Sequence, residues 1–372
     1  MSKTLCRPLV AGLLLAAAST QAADAPAKFL GAQSCASSGC HGGGGAKQNQ
    51  FLVWSVKDFH SQRPTATLTT ARSKQIADAL EIKDATADAR CTTCHAPLDD
   101  VAENLRGENF KASEGVSCES CHGPAENWLR SHTRKDYTRA DRTAVGMRNL
   151  QNLYVRANTC VACHQVVSQS LLKAGHPELI FELDGQSVAE PKHWSAEKNG
   201  NGAQAWLVGQ AVALRELSWQ MTKDHPFNEL SQRLTETNLL QRIGGISWVL
   251  QIASGEDLSP KTYPEHFERR QELADKFAQE KSKVMWTEQM TRECLTRLAS
   301  SSGDFLKDSV PTPLQARRAE RLVLALDRLL AAENNHKADA ELNQLFKLAQ
   351  SIPDFDPTQF AEALKMFSAA LK

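Results

Sequence analysis

Three copies of Cys-x-x-Cys-His within 74 residues constrain this chain more than anything else in it: Cys91-Thr-Thr-Cys94-His95, Cys118-Glu-Ser-Cys121-His122 and Cys160-Val-Ala-Cys163-His164. The pattern is that of covalent c-type haem attachment. Two cysteine sulfurs form thioethers with the two vinyl groups of the haem, and the adjoining histidine is held under the iron as its proximal ligand. A wider pair, Cys35-Ala-Ser-Ser-Gly-Cys40-His41, has four residues between its cysteines and a histidine in the same place. We read it as a fourth haem site, with a Cys35–Cys40 disulfide as the competing reading. Gly42 to Gly45 follow at once; such backbone can pass close to a haem face or simply form a flexible loop.

The beginning of the chain agrees with covalent haem chemistry. Lys3 and Arg7 precede a short apolar run, Leu9 to Ala18, and Thr20-Gln21-Ala22 ends it with small residues where a signal peptidase reads. This is the pattern of a cleavable secretory signal over residues 1–22, with Cys6 lost on cleavage, and it implies a periplasmic protein. No other apolar stretch approaches the roughly 20 residues of a spanning helix. The 43 basic and 43 acidic residues balance, and loss of Lys3 and Arg7 leaves −2. A nucleic-acid binder would show a basic surplus.

Cysteines in close pairs in an exported chain would ordinarily suggest disulfides. Here a histidine follows every pair, and beyond Cys163 only Cys294 remains, which reads as a buried apolar thiol. The expected cofactors are four covalently bound haem c groups. Their thioethers would be made by Cys35, Cys40, Cys91, Cys94, Cys118, Cys121, Cys160 and Cys163, and their proximal ligands would be His41, His95, His122 and His164. Of the 11 histidines, His60, His132, His176 and His193 are left in the same region, matching in number the distal ligands that four six-coordinate irons need. Met147 is the single methionine there that could substitute. His225, His266 and His336 read as surface residues.

The stretch from Gly115 through Cys118, Cys121 and His122 to Trp128 and His132 resembles the third haem segment of the cytochrome c-554 family, which also carries Gly-Pro after the haem histidine and a second histidine ten residues on. Trp54 to His60 resembles that family's tryptophan-containing helix ending in a ligand histidine. The likeness covers roughly residues 30 to 195. It implies tetrahaem electron transfer, with His132 distal to the haem of His41 and His60 distal to the haem of His164. The family's best-known member has a further distal histidine before the last motif, where this chain has Leu153 to Thr159 and no histidine. It also keeps its second haem five-coordinate. His176 and His193 are therefore the candidates for the second and third haems, in either order.

The expected fold is mainly α: a loop-rich tetrahaem domain of short helices around stacked haems over residues 23–198, then an antiparallel helical domain over 199–372. Asn199-Gly-Asn-Gly202 is the glycine-rich break. Beyond it, Leu207, Ala211, Leu214 and Met221 and then Leu322, Leu326, Leu329 and Leu330 recur at helical spacing. Thr312-Pro313 and Asp356-Pro357 read as helix starts, and five to seven helices are expected. Ile180 to Leu183 reads as a short extended segment. Two functions compete. One is an electron carrier with mostly bis-histidine haems, working between a redox donor and acceptor such as another cytochrome or a membrane quinol-linked protein. The other is a multihaem reductase or oxidase of a small nitrogen or sulfur compound at one five-coordinate haem. A gas-binding sensor would need the same open iron. No catalytic residue stands out beside the motifs.

Overall fold

The computed structural model describes residues 26–61, 63–194, 201–222, 233–258, 266–351 and 354–372. The residues expected to form a signal, with Cys6, the break residues Asn199 and Gly200, and His225 lie outside them. The described residues are mostly helical and contain no strand, only an isolated bridge between Phe29 and Arg106. None of their helices is long and apolar enough to cross a membrane.

The first part is loop-rich. Its helices are short: α1 Gln50–Lys57, α2 Arg63–Thr67, α3 Ala71–Ala79, α4 Ala89–His95, α5 Cys118–His122, α6 Arg139–Ala144, α7 Leu153–His164, α8 Gln169–Lys173 and α9 Leu183–Ala189. The second part holds seven helices among the described residues: α10 Gly202–Gln220, α11 Arg233–Ser254, α12 His266–Lys281, α13 Glu288–Ala299, α14 Thr312–Glu333, α15 Asp339–Gln350 and α16 Pro357–Ala370.

Leu207, Ala211, Leu214, Leu322, Leu326, Leu329 and Leu330 are all buried in one core, as their spacing predicts, while Met221 is partly buried at its edge. Asp356 caps α16 by accepting the N–H groups of Thr358 and Gln359, with Pro357 at the first helical position. At α14 the start differs by one residue: Thr312 is already helical and Pro311 takes the cap position. Ile180 to Leu183 forms no strand. Leu183 instead opens α9, because the Glu182 side chain caps that helix by accepting from the N–H groups of Asp184 and Gly185. Cys294 is buried, and burial pushes its thiol up to about 11.

The core does not stop at the glycine-rich break. Leu153, Ala157 and Val161 recur every fourth residue on α7 and so form one stripe. They join Phe181 and Leu183 in the same buried cluster as Trp206, Leu207 and Ala211 of α10. Helix α10 packs on α7 and α9 as well as on α11, α12 and α14. Polar contacts reinforce the seam. Arg317 donates to Glu178 (3.0 Å), Arg242 donates to the Leu179 carbonyl (2.8 Å), and buried Arg321 donates to the Phe181 carbonyl (3.3 Å). Tyr154 of α7 donates to Asp275 of α12 (2.6 Å), which also accepts from Arg215 of α10 (2.6 Å). Burial lowers the Arg321 guanidinium to about 10.

Glu182 is 7% exposed, and burial raises its carboxyl from 4.5 to about 7 despite the cap hydrogen bonds. The folded state therefore holds a proton that the unfolded chain releases near its ordinary value. The associated stability is complete below about pH 4.5 and is lost as pH rises through about 7. Glu182→Gln, which keeps the cap acceptor without the charge, should match the parent near pH 4. It should be more stable by up to about 3 kcal/mol at pH 8.5. Denaturant titrations of both proteins at the two pH values measure this difference.

Candidate functional site

Helix geometry explains the compact motif. Positions i, i+3 and i+4 share one face of an α-helix, so both sulfurs and the imidazole of Cys-x-x-Cys-His project to the same side. All three compact motifs sit at the end of a helix, with His95, His122 and His164 as the last helical residues of α4, α5 and α7. The wider motif cannot use this device. Its chain closes as turns instead: His41 N–H donates to the Cys35 carbonyl (3.2 Å), and Cys40 and Gly42 N–H donate to the Ser37 carbonyl (2.9 and 3.0 Å). Gly42 is required here, since a Cβ would lie 1.8 Å from the Ala36 carbonyl oxygen. No disulfide joins the eight motif cysteines, Cys35 and Cys40 included.

The motifs meet in pairs. The Cys35 side chain lies beside that of Cys118, and the Cys94 side chain beside that of Cys163. The first and third sites are therefore neighbours, and so are the second and fourth. Burial pushes the Cys121 thiol up to about 12 and the Cys160 thiol up to about 11, so both are neutral.

The spare histidines come to these sites. The rings of His132 and His41 lie 6.1 Å apart, centroid to centroid, and within 17° of parallel. Those of His60 and His164 lie 6.0 Å apart at 83°. His193 adds to the burial that lowers His122 to about 4, and His176 adds, after burial, to the depression of His95. The sequence left open which of these two histidines goes with which motif; the fold brings His176 towards the second and His193 towards the third. Of the remaining histidines, His336 is exposed beside Asp339, and His266 is half-buried rather than a surface residue.

Each ring is oriented by its Nδ1. His41 donates to Gln50 Oε1 (2.9 Å), His95 to the Pro64 carbonyl (2.9 Å), His132 to the Trp128 carbonyl (3.1 Å) and His176 to the Pro177 carbonyl (2.9 Å). His60 Nδ1 faces Asp58 Oδ1 at 3.1 Å. His193 Nδ1 lies 3.4 Å from the Pro191 carbonyl and 3.7 Å from Glu190 Oε1. His164 Nδ1 meets the Gln186 amide at 3.4 Å, and the amide's Oε1 is buried without a partner; turning the amide over supplies the missing acceptor. Among the eight histidines near the motifs, only His122 has its Nδ1 buried without a partner. Holding the proton on Nδ1 leaves Nε2 as the lone-pair nitrogen, the arrangement found at metal-bound histidines.

Haem c fits this donor set. Two imidazole nitrogens at ~2 Å on either side of one metal ion, plus the two ring radii, put the ring centres close to 6 Å apart. A cavity of about 480 Å³ is lined by Cys35, His41, Cys118, Cys121, His122 and His132, and also by Cys160, His60 and His193. Trp54, Trp128 and Met147 supply apolar wall, while Arg139, Arg142 and Arg148 supply positive charge suited to haem propionates. Arg142 Nε is buried without a partner. The second motif lies apart, against a small cluster of Leu68, Ala77, Ile82 and Ala85.

Three carboxylates of the site have no signature in the motif pattern. Glu119, an intervening residue of the third motif, is 1% exposed and accepts the N–H groups of Leu30 (2.9 Å), Gly31 (2.7 Å) and Ala125 (2.7 Å). It ties the segment before the first motif to the third. Asp58 is buried and takes both the backbone N–H (2.9 Å) and the Nδ1 of His60, the Asx turn that an Asp-x-His spacing permits. Those hydrogen bonds outweigh burial and hold its carboxyl below the usual range, and Asp58 in turn raises His60. Glu190, raised chiefly by burial and then by Asp58, completes the group.

The family model for cytochrome c554 and c-prime matches residues 34–123. The "Cytochrome c-554" of Nitrosomonas europaea is 31% identical over 134 residues, which cover 34% of this chain and 51% of that protein. The chain thus spans about half the length of the curated relative it matches. No solved structure matches the chain. Residues 34–123 thus resemble the cytochrome c-554 family, a likeness that agrees with the c-type haem motifs this segment carries.

Glu119→Ala would strand three backbone N–H groups, two of them in buried hydrogen bonds. The expected loss of stability is roughly 3 kcal/mol. Denaturant unfolding measures it, and intact mass should show that Cys118 and Cys121 remain haem-loaded.

Proposed function

We propose that this chain is a periplasmic tetrahaem c-type cytochrome that passes electrons between redox partners, each of its four irons held between two histidines. The observation that carries this reading is the approach of His132 to His41 (6.1 Å) and of His60 to His164 (6.0 Å). These are the two pairings that the resemblance to the cytochrome c-554 family implies. His176 completes the second site with His95, and His193 completes the third with His122. The signal-like segment at residues 1–22 and the need to attach haem after export support the periplasm. The partners are redox proteins, such as another cytochrome or a membrane quinol-linked protein.

Bound haem supplies reversible one-electron chemistry at iron. The chain does the rest. Its sulfurs fix the groups, its Nδ1 acceptors hold neutral imidazoles in one orientation, and a second histidine on each iron closes the face at which a substrate would bind. The closeness of Cys35 to Cys118 and of Cys94 to Cys163 would keep the groups bound at those motifs near each other and so would shorten the electron path. A reductase or oxidase would need an iron without its second histidine, and a candidate histidine stands near every motif.

Protein matured in a host that attaches haem c should carry four haem masses, and all four ferric irons should be low-spin by electron paramagnetic resonance. His132→Ala and His60→Ala should each create one high-spin haem of the four, with the mass addition unchanged. A native high-spin haem that binds nitric oxide would replace the carrier reading with the reductase one. A mass addition of three haems would return Cys35 and Cys40 to a disulfide.

A further inference from the structure

The eight histidines near the motifs do not have equivalent partners. Those of His41, His95, His132 and His176 are neutral amide or peptide oxygens. His164 faces an amide and His122 faces nothing. His60 alone has a carboxylate within hydrogen-bond distance, Asp58 at 3.1 Å. Asp58 is 7% exposed, so solvent screens its charge poorly. A second carboxylate stands behind it: ligand atoms of Asp58, Glu190 and His193 all lie within 4.8 Å of one another. Arg156 acts on Glu190 as a more distant counter-charge.

We propose that Asp58 is a positioning residue that acts through His60 to make the fourth haem, the one held by Cys160, Cys163 and His164, the lowest in potential of the four, with Glu190 lowering the third haem to a smaller degree through His193. This rests on His60 and His193 being distal ligands. The chemistry is elementary. Reduction puts one electron, and hence one negative charge, on the iron centre. A carboxylate bonded to the ligand's Nδ1–H makes the imidazole a stronger donor and favours the ferric state. The nearby negative charge opposes the added electron in the same sense. The first and second haems have only neutral partners on their histidines and stay higher. Electrons received by the protein then settle in the first and second sites, and the fourth is emptied first.

The test is a spectroelectrochemical titration of the full-length holoprotein and its variants. Asp58→Asn keeps an oxygen acceptor and removes the charge. The lowest of the four midpoints should shift upward most, that of the third haem less, and those of the first and second should stay nearly in place, with four covalent haems and low-spin spectra retained. Asp58→Glu, which keeps the charge, should hold that midpoint close to its original position; a purely structural role would not separate the two variants in this way. Four unchanged midpoints in Asp58→Asn, or an equal shift of all four, would overturn the proposal. So would one zinc or calcium per chain found by elemental analysis of the parent and lost from Asp58→Asn, because the cluster would then be a cation site. His60→Ala separates the two levels of the argument. If it produces no high-spin haem, the ligand assignment has failed. If it produces one while Asp58→Asn shifts nothing, only the present inference has.

Discussion

Helix α7 is the constraint on which the two parts of this molecule depend. One stripe of it, Leu153, Ala157 and Val161, is buried with α10, and its last turn carries Cys160, Cys163 and His164 of the proposed fourth haem site. A helix of 12 residues would be marginal alone. Packing against the helical core supplies what the loop-rich segment lacks, and the rigidity is delivered to the fourth attachment site. The same seam holds the Glu178 carboxylate through Arg317 and the Leu179 and Phe181 carbonyls through Arg242 and Arg321. That backbone runs between His176 and the Gln186 amide beside His164. The helical part therefore supports the segment that carries His176 and the residues beside His164.

Much of this was legible in the sequence. The spacing of the three compact motifs placed each of them on one face at the end of a helix, because i, i+3 and i+4 is a local rule. The leucine periodicity of α14 and the capping aspartate of α16 were legible for the same reason. The pairings of His132 and His60 came from resemblance, since nothing local says which iron a distant histidine will reach. The order of His176 and His193 could not be read at all, because it depends on how the loops after α7 return to α3 and to Asp58.

What the sequence did not disclose is the role of buried charge. Glu119 looked like an arbitrary intervening residue of a motif, yet its partners are nearly 90 residues away in the chain. Gly115 shows the same effect. Its φ of +74° and the 2.0 Å approach that a Cβ would make to the Ser61 carbonyl reflect packing against the strip that carries His60, with Val116 N–H donating to the His60 carbonyl. In the sequence it was only a glycine before a motif. The continuous core across residue 199 was hidden similarly, because composition marks where a chain changes character but not where its buried faces meet.

The sharing of α7 between the two parts has a consequence for biogenesis. Chains are made and exported from the amino terminus, and helices of this length do not persist until something packs on them. The first three motifs emerge with their local partners close behind. Helix α7 emerges with its apolar stripe unmatched, and the partners in α10 and α12 begin some 40 and 100 residues later. The last turn of α7, which carries the fourth Cys-x-x-Cys-His, therefore reaches its final packing only once the carboxyl-terminal helices are made.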